Sequence, residues 1–104
     1  MPTSAIHDHK LICQVWLDLN VDGQALPCLL YAGPRGDESR RLLSSKARLV
    51  QNISAHTHFE AMTIYYQLMG WGTYTTNQAW DRQPYPLEWI LEQERAGING
   101  DGHL

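Results

Sequence analysis

Two periodicities divide the chain. From Lys10 to Asn20 (KLICQVWLDLN) apolar side chains recur at every second position. Leu11, Cys13, Val15, Leu17 and Leu19 share one face, while Gln14 and Asp18 lie on the other with Ile12 and Trp16. Period two predicts a half-buried strand. Val21-Asp22-Gly23-Gln24 is a hairpin signal, because Asp-Gly supplies the positive φ angles of a tight turn. Ala25 to Ala32 is the returning strand. Pro27 within it has no N–H for a ladder, which puts this strand at a sheet edge or a bulge. Gly33-Pro34-Arg35-Gly36 reads as a loop, after which Asp37 can cap a short helix, ESRRLL. Ala47 to Ala55 (ARLVQNISA) alternates again and predicts a third strand.

The period then becomes helical. From Thr57 to Gly72, Phe59, Met62, Tyr66 and Met69 recur at steps of three and four residues. Ala61, Ile64, Tyr65 and Leu68 widen that face, leaving Glu60, Thr63 and Gln67 as the main polar positions. A helix this apolar must be covered on more than one side, by a sheet and by a loop or a second subunit. Thr57 with Glu60 three residues later predicts a capping box, in which the Thr57 hydroxyl accepts from the Glu60 N–H and the carboxylate reaches back to the Thr57 N–H. Gly70 suits the left-handed position that ends a helix. Trp71 to Tyr85 then shows little periodicity, and connections in compact domains are usually about 4–6 residues long. Pro86 opens a final helix, PLEWILEQERA, carrying Leu87, Trp89, Ile90 and Leu91 and closed by Gly97.

These elements predict a single α+β domain over 1–104, with flexible termini at 1–9 and 98–104. Its sheet is small and antiparallel, of about three strands starting with the N-terminal hairpin. A long central helix and a C-terminal helix pack on one face. Composition fits a globular protein, with 43% hydrophobic and 18% charged residues and no low-complexity tract. No run reaches the roughly 18 apolar residues of a membrane span, and MPTSAIHDHK holds no secretory apolar core. A cytoplasmic setting and no membrane partner are therefore expected.

A net charge of −3 argues against generic nucleic-acid binding. The charge is uneven: Arg35, Arg40, Arg41, Lys46 and Arg48 stand against Asp37 and Glu38, a local +3. From Asp81 to the end, five acids (Asp81, Glu88, Glu92, Glu94, Asp101) face Arg82 and Arg95, a local −3. Two solvated faces are the plain reading, and complementarity within the fold or between subunits the sharper one. Cys13 and Cys28 read as buried free thiols. A two-residue turn would set Cys28 opposite Leu17, leaving the sulfurs about 13 Å apart along the strand, too far for a disulfide.

Three groups could carry function. Histidine supplies two H-x-H pairs, His7/His9 and His56/His58, and H-x-H on a strand is half of a workable zinc site. If the third strand pairs antiparallel with the first, both pairs reach the same end of the sheet, near Asp8 and Glu60. Against this, His58 would be helical, so the same-face rule fails within its pair, and Glu60 already serves as a cap. Trp71, Tyr74, Trp80, Tyr85 and Trp89 form an aromatic cluster among Thr, Asn and Gln residues, suited to a protein partner or to a satellite core. Arg40 and Arg41 could contact an anion, although no glycine-rich strand-to-helix loop accompanies them.

Arg35-Gly36-Asp37 matches a cell-adhesion tripeptide and Asn52-Ile53-Ser54 a glycosylation sequon, and both read as coincidence. No P-loop, G-x-G-x-x-G, H-E-x-x-H or G-x-S-x-G occurs. The favoured expectation is a binding protein without a cofactor, not an enzyme, whose partner is a protein, a second copy of this chain included. The alternative is a zinc-dependent hydrolase or metal-binding protein using His7, His9, His56 and His58.

Overall fold

A computed structural model describes residues 10–19 and 22–98. The alternating segments form strands β1 (Leu11–Leu19), β2 (Ala25–Tyr31) and β3 (Arg48–Ala55). They build a three-stranded antiparallel sheet in the order β2-β1-β3. The domain is α+β. β1 is central, and Leu11, Cys13 and Val15 are almost wholly buried. Pro27 sits on β2, an edge strand, where its missing N–H leaves no gap in the ladder.

The hairpin register corrects one expectation. Cys28 lies opposite Trp16, and Leu17 opposite Pro27. The last pair is Leu19 with Ala25, so the connection is longer than the two-residue turn suggested by Asp22-Gly23. A slip of one residue moves every side chain to the other face. Cys28 consequently shares the face of Trp16, away from Cys13. Both cysteines are free thiols.

β2 and β3 each run antiparallel to β1, so the chain joining them must cross β1. That crossing holds a 3-10 turn (Pro34–Gly36) and α1 (Asp37–Arg41). Arg40 Nη1 donates to Gln14 Oε1 at 3.0 Å and to the Tyr31 carbonyl at 2.8 Å. The Ser44 N–H donates to Asp18 Oδ2 at 2.9 Å. Gln14 and Asp18 project from the face opposite Cys13, because strand side chains alternate. The crossing therefore covers that face. α1 starts earlier than the ESRRLL pattern suggested: Gly36 is its cap and Asp37 its first residue. Asp37 is drawn instead to the Arg40 guanidinium, 2.5 Å away.

α2 (His58–Met69) packs on the other face. Its Ala61 and Tyr65 join Leu11, Cys13, Val15, Ile53 and Ala55 in one buried cluster. Thr57 is extended and its Oγ1 accepts from the Glu60 N–H at 3.0 Å. Glu60 Oε1 accepts from the His56 N–H at 2.6 Å, one residue before the Thr57 donor that the capping box predicts. Either donor lies within reach of a first-turn carboxylate, and both face the positive helix end. At the far end Gly70 is left-handed (φ 72°, ψ 28°), and the Trp71 N–H reaches the Tyr66 carbonyl at 3.0 Å.

The aromatic segment after α2 is anchored rather than loose. Thr57 bridges Pro84, the Tyr85 N–H donates to the His56 carbonyl at 2.9 Å, and Ala79–Arg82 forms a 3-10 turn. α3 (Leu87–Arg95) follows, with Pro86 in an extended conformation just before it rather than inside its first turn. Ile90 of α3 belongs to the Cys13 cluster, whereas Ile98 packs with Ile12 and Ala32 in a second. Ile98, at the start of the tail that the sequence suggested, is buried there, since the end of the sheet supplies an apolar contact that local sequence does not reveal. Residues 1–9 and 99–104 lie outside the described residues. No helix among the described residues is long and apolar enough to cross a membrane.

Candidate binding groove

The five aromatic residues singled out above separate into two groups. Trp71 and Tyr74 belong to α2: Trp71 meets Tyr65 and Tyr66, with ring centroids 5.3 Å apart in both pairs. Tyr74 packs on Phe59 at 5.6 Å and Tyr66 at 5.2 Å. Trp80, Tyr85 and Trp89 gather elsewhere, around Tyr31 at the end of β2. Tyr31 lies edge-on to Tyr85 (6.2 Å) and to Trp89 (5.6 Å). Trp80 remains 57% exposed and leans on the His58 imidazole, 5.5 Å between ring centres.

Two adjoining cavities open between these rings. One, of about 260 Å³, is lined by Cys13, Leu29, Tyr31, Arg35, Ser39, His58 and Tyr85, among others. The second, of about 200 Å³, is lined chiefly by Tyr31, His58, Trp80, Pro84, Tyr85, Pro86 and Trp89. Tyr31, His58 and Tyr85 form their common wall. The first cavity mixes polar and apolar groups, and the second is dominated by rings.

Each polar wall residue has a traceable cause for its position. His58 is the first residue of α2, and its Nε2 lies 3.7 Å from Asp81 Oδ1. Asp81 is 1% exposed and is held by the Tyr74 hydroxyl, which donates to Oδ2 at 2.9 Å. Tyr74 therefore ties the α2 aromatic group to the groove. Arg35 Nε lies 3.0 Å from Glu92 Oε1 of α3, an ion pair without the alignment of a hydrogen bond, and its guanidinium lies 4.4 Å from the Trp89 ring centre. This pair joins the basic and acidic stretches within one chain.

Burial pushes the Cys13 thiol up to about 11, although its neighbour Tyr85 works in the opposite direction. Burial likewise raises Tyr31 and Tyr85, helped by the nearby Cys13. All three stay protonated at neutral pH, so Cys13 is no ready nucleophile. The Tyr85 hydroxyl is buried without a hydrogen-bond partner among the described residues. Such a group costs about 1–3 kcal/mol relative to a satisfied one.

Among the described residues, the remaining candidates do not converge on one site. His56 Nδ1 faces Glu60 Oε1 at 3.2 Å, while His58 turns to Asp81. His7 and His9 lie outside the described residues, among which no cluster of three potential metal ligands occurs. Arg40 spends its donors on Gln14, Tyr31, Gly33 and Asp37, and is a strut of the crossing rather than an anion contact. Arg41 is exposed beside it. In the Arg-Gly-Asp tripeptide Gly36 is buried against the Tyr31 carbonyl, while Arg35 and Asp37 are exposed.

Sequence reasoning missed Tyr31 and Arg35 as parts of one groove, and Asp81 as the buried carboxylate behind His58. Tyr31 only closes an apolar strand, and Arg35 was one charge in a basic stretch. Asp81, a lone carboxylate within the aromatic segment, was the available signal. No family, curated protein sequence or solved structure matches this chain.

Proposed function

We propose that this protein is an interaction module that holds an extended segment of a partner protein in the groove of Tyr31, His58, Trp80, Tyr85 and Trp89. The observation that carries this reading is the size and adjacency of the two cavities. At about 260 and 200 Å³, each falls below the ~300–1,000 Å³ of pockets that enclose drug-sized ligands. Each suits a single side chain. An extended segment projects alternate side chains to one side, roughly 7 Å apart, and two pockets sharing a wall suit that spacing. Rigid, half-exposed tryptophans are the residue type that most often carries binding energy at such surfaces.

Selection of peptides from a random display library against the full chain, followed by NMR mapping, tests the proposal. Selected peptides should shift the resonances of His58, Trp80 and Trp89. Trp80→Ala should weaken them by roughly 30-fold without unfolding the chain. A second copy of the chain offering such a segment would appear as concentration-dependent shifts at the same residues. Peptides that bind tightly while leaving the groove unperturbed would refute the proposal.

A further inference from the structure

The two cavities carry a charge bias. Arg35 lines the larger one, and neither cavity is lined by an Asp or Glu. The nearby carboxylates are already engaged. Glu92 is paired with Arg35 Nε, while Asp81 is buried between Tyr74 and His58. Cys13, Tyr31 and Tyr85 keep their protons and add no negative charge.

Arg35 is also preset. An ion pair with Glu92 and stacking on the flat face of Trp89 restrain the guanidinium. A restrained guanidinium presents two parallel donors that match the two oxygens of a carboxylate, with less ordering left to be done on binding. The same stacking disfavours a cationic ligand. A ring face that attracts cations is already covered by Arg35, and a second cation there meets like charge.

We infer that the groove selects an acidic segment, with an Asp or Glu carboxylate seated against Arg35 in the larger cavity and an apolar side chain two positions away between Trp80 and Trp89. This inference rests on the peptide-groove proposal and adds the chemistry of the partner.

The test uses short peptides blocked at both ends, so that the side chain is the only carboxylate. One set carries Glu, Gln or Lys two positions before Phe in an Ala/Gly background, and a second set reverses the order. Each is titrated into the 15N-labelled full chain. In the preferred order, the Glu peptide should bind about ten-fold more tightly than the Gln peptide, with Lys weakest. Arg35→Met should abolish the Glu advantage, so that the Glu and Gln peptides bind equally. Ser39→Asp leaves the Arg35–Glu92 pair intact and should shift preference toward Lys, which covers the case in which Arg35→Met fails to fold. Equal binding of Glu and Gln at the groove, or preference for Lys in the unmodified chain, overturns the acidic selection and leaves the groove proposal standing. Groove shifts from neither these peptides nor library-selected ones would bring down the groove itself.

Discussion

Gln93 of α3 completes the hydrogen bonding of Ile12, 81 positions away at the start of β1. The Ile12 N–H donates to Gln93 Oε1 at 2.9 Å, and Gln93 Nε2 donates to the carbonyls of Ile12 (2.8 Å) and Ala32 (2.9 Å). The Ala32 N–H also reaches the Ile12 carbonyl at 3.0 Å. One carboxamide thus stands in for a missing rung between the ends of β1 and β2, and it fixes α3 against the sheet. Because Trp89 and Glu92 ride on the same helix, this clamp also sets one side of the groove.

Gln93→Ala leaves a buried donor and a buried acceptor unsatisfied, and should cost about 3 kcal/mol in denaturant unfolding. Gln93→Glu should be worse near neutral pH. A carboxylate there faces two carbonyl oxygens, so its folded-state pKa lies above the unfolded value of about 4.3. The added penalty is absent below that value and grows as pH rises through it. Equal stability loss of the Glu variant at pH 3.5 and pH 7 would contradict the assignment.

Two glycines should behave differently on substitution. A Cβ at Gly36 would lie 1.9 Å from the Tyr31 carbonyl oxygen and 2.7 Å from Arg40 Nη1. Gly36→Ala must move backbone, so a loss above ~2 kcal/mol is expected. A Cβ at Gly70 meets nothing within 4 Å, and only its left-handed φ of 72° opposes substitution. Gly70→Ala should cost about 1 kcal/mol. Melting curves of both variants decide the order.

Asp18 links stability to pH at the exposed end of the sheet. The Ser44 hydroxyl, then the Ser44 and Leu19 N–H groups, hold its carboxyl below the usual value of about 3.9. Its contribution is complete above that value and is lost as pH falls through the lower folded-state value. Asp18→Asn should therefore lower Tm at pH 6 more than at pH 2.5. An offset unchanged between the two would exclude this role.

The thiols should differ in reactivity. Cys28 is half-buried, whereas Cys13 is 1% exposed with its thiol raised to about 11. Burial also raises Cys28, followed by the charge of Asp18. At pH 8 a disulfide reagent should label one cysteine of the native chain first, identified as Cys28 by mass mapping. Labelling of Cys13 should await unfolding. Prompt modification of both would contradict the packing around Tyr85.

Which segments become strands and helices was legible because the signals are local. Alternation from Leu11 onward, the Thr57 cap and Gly70 at the helix end each act within a few residues, where side-chain periodicity and unpaired backbone groups dictate conformation. The register of Cys28 was not legible, because loop length sets it and Asp-Gly admits more than one closure. The groove was not legible either. Tyr31, Arg35, His58 and Trp89 come from four separate segments, and burial brings them together through contacts such as Gln93 with Ile12. A sequence pattern shows that a ring will seek cover. Which neighbour covers it, and which ring is left half-exposed beside a cavity, is decided only when the whole sheet closes against its helices.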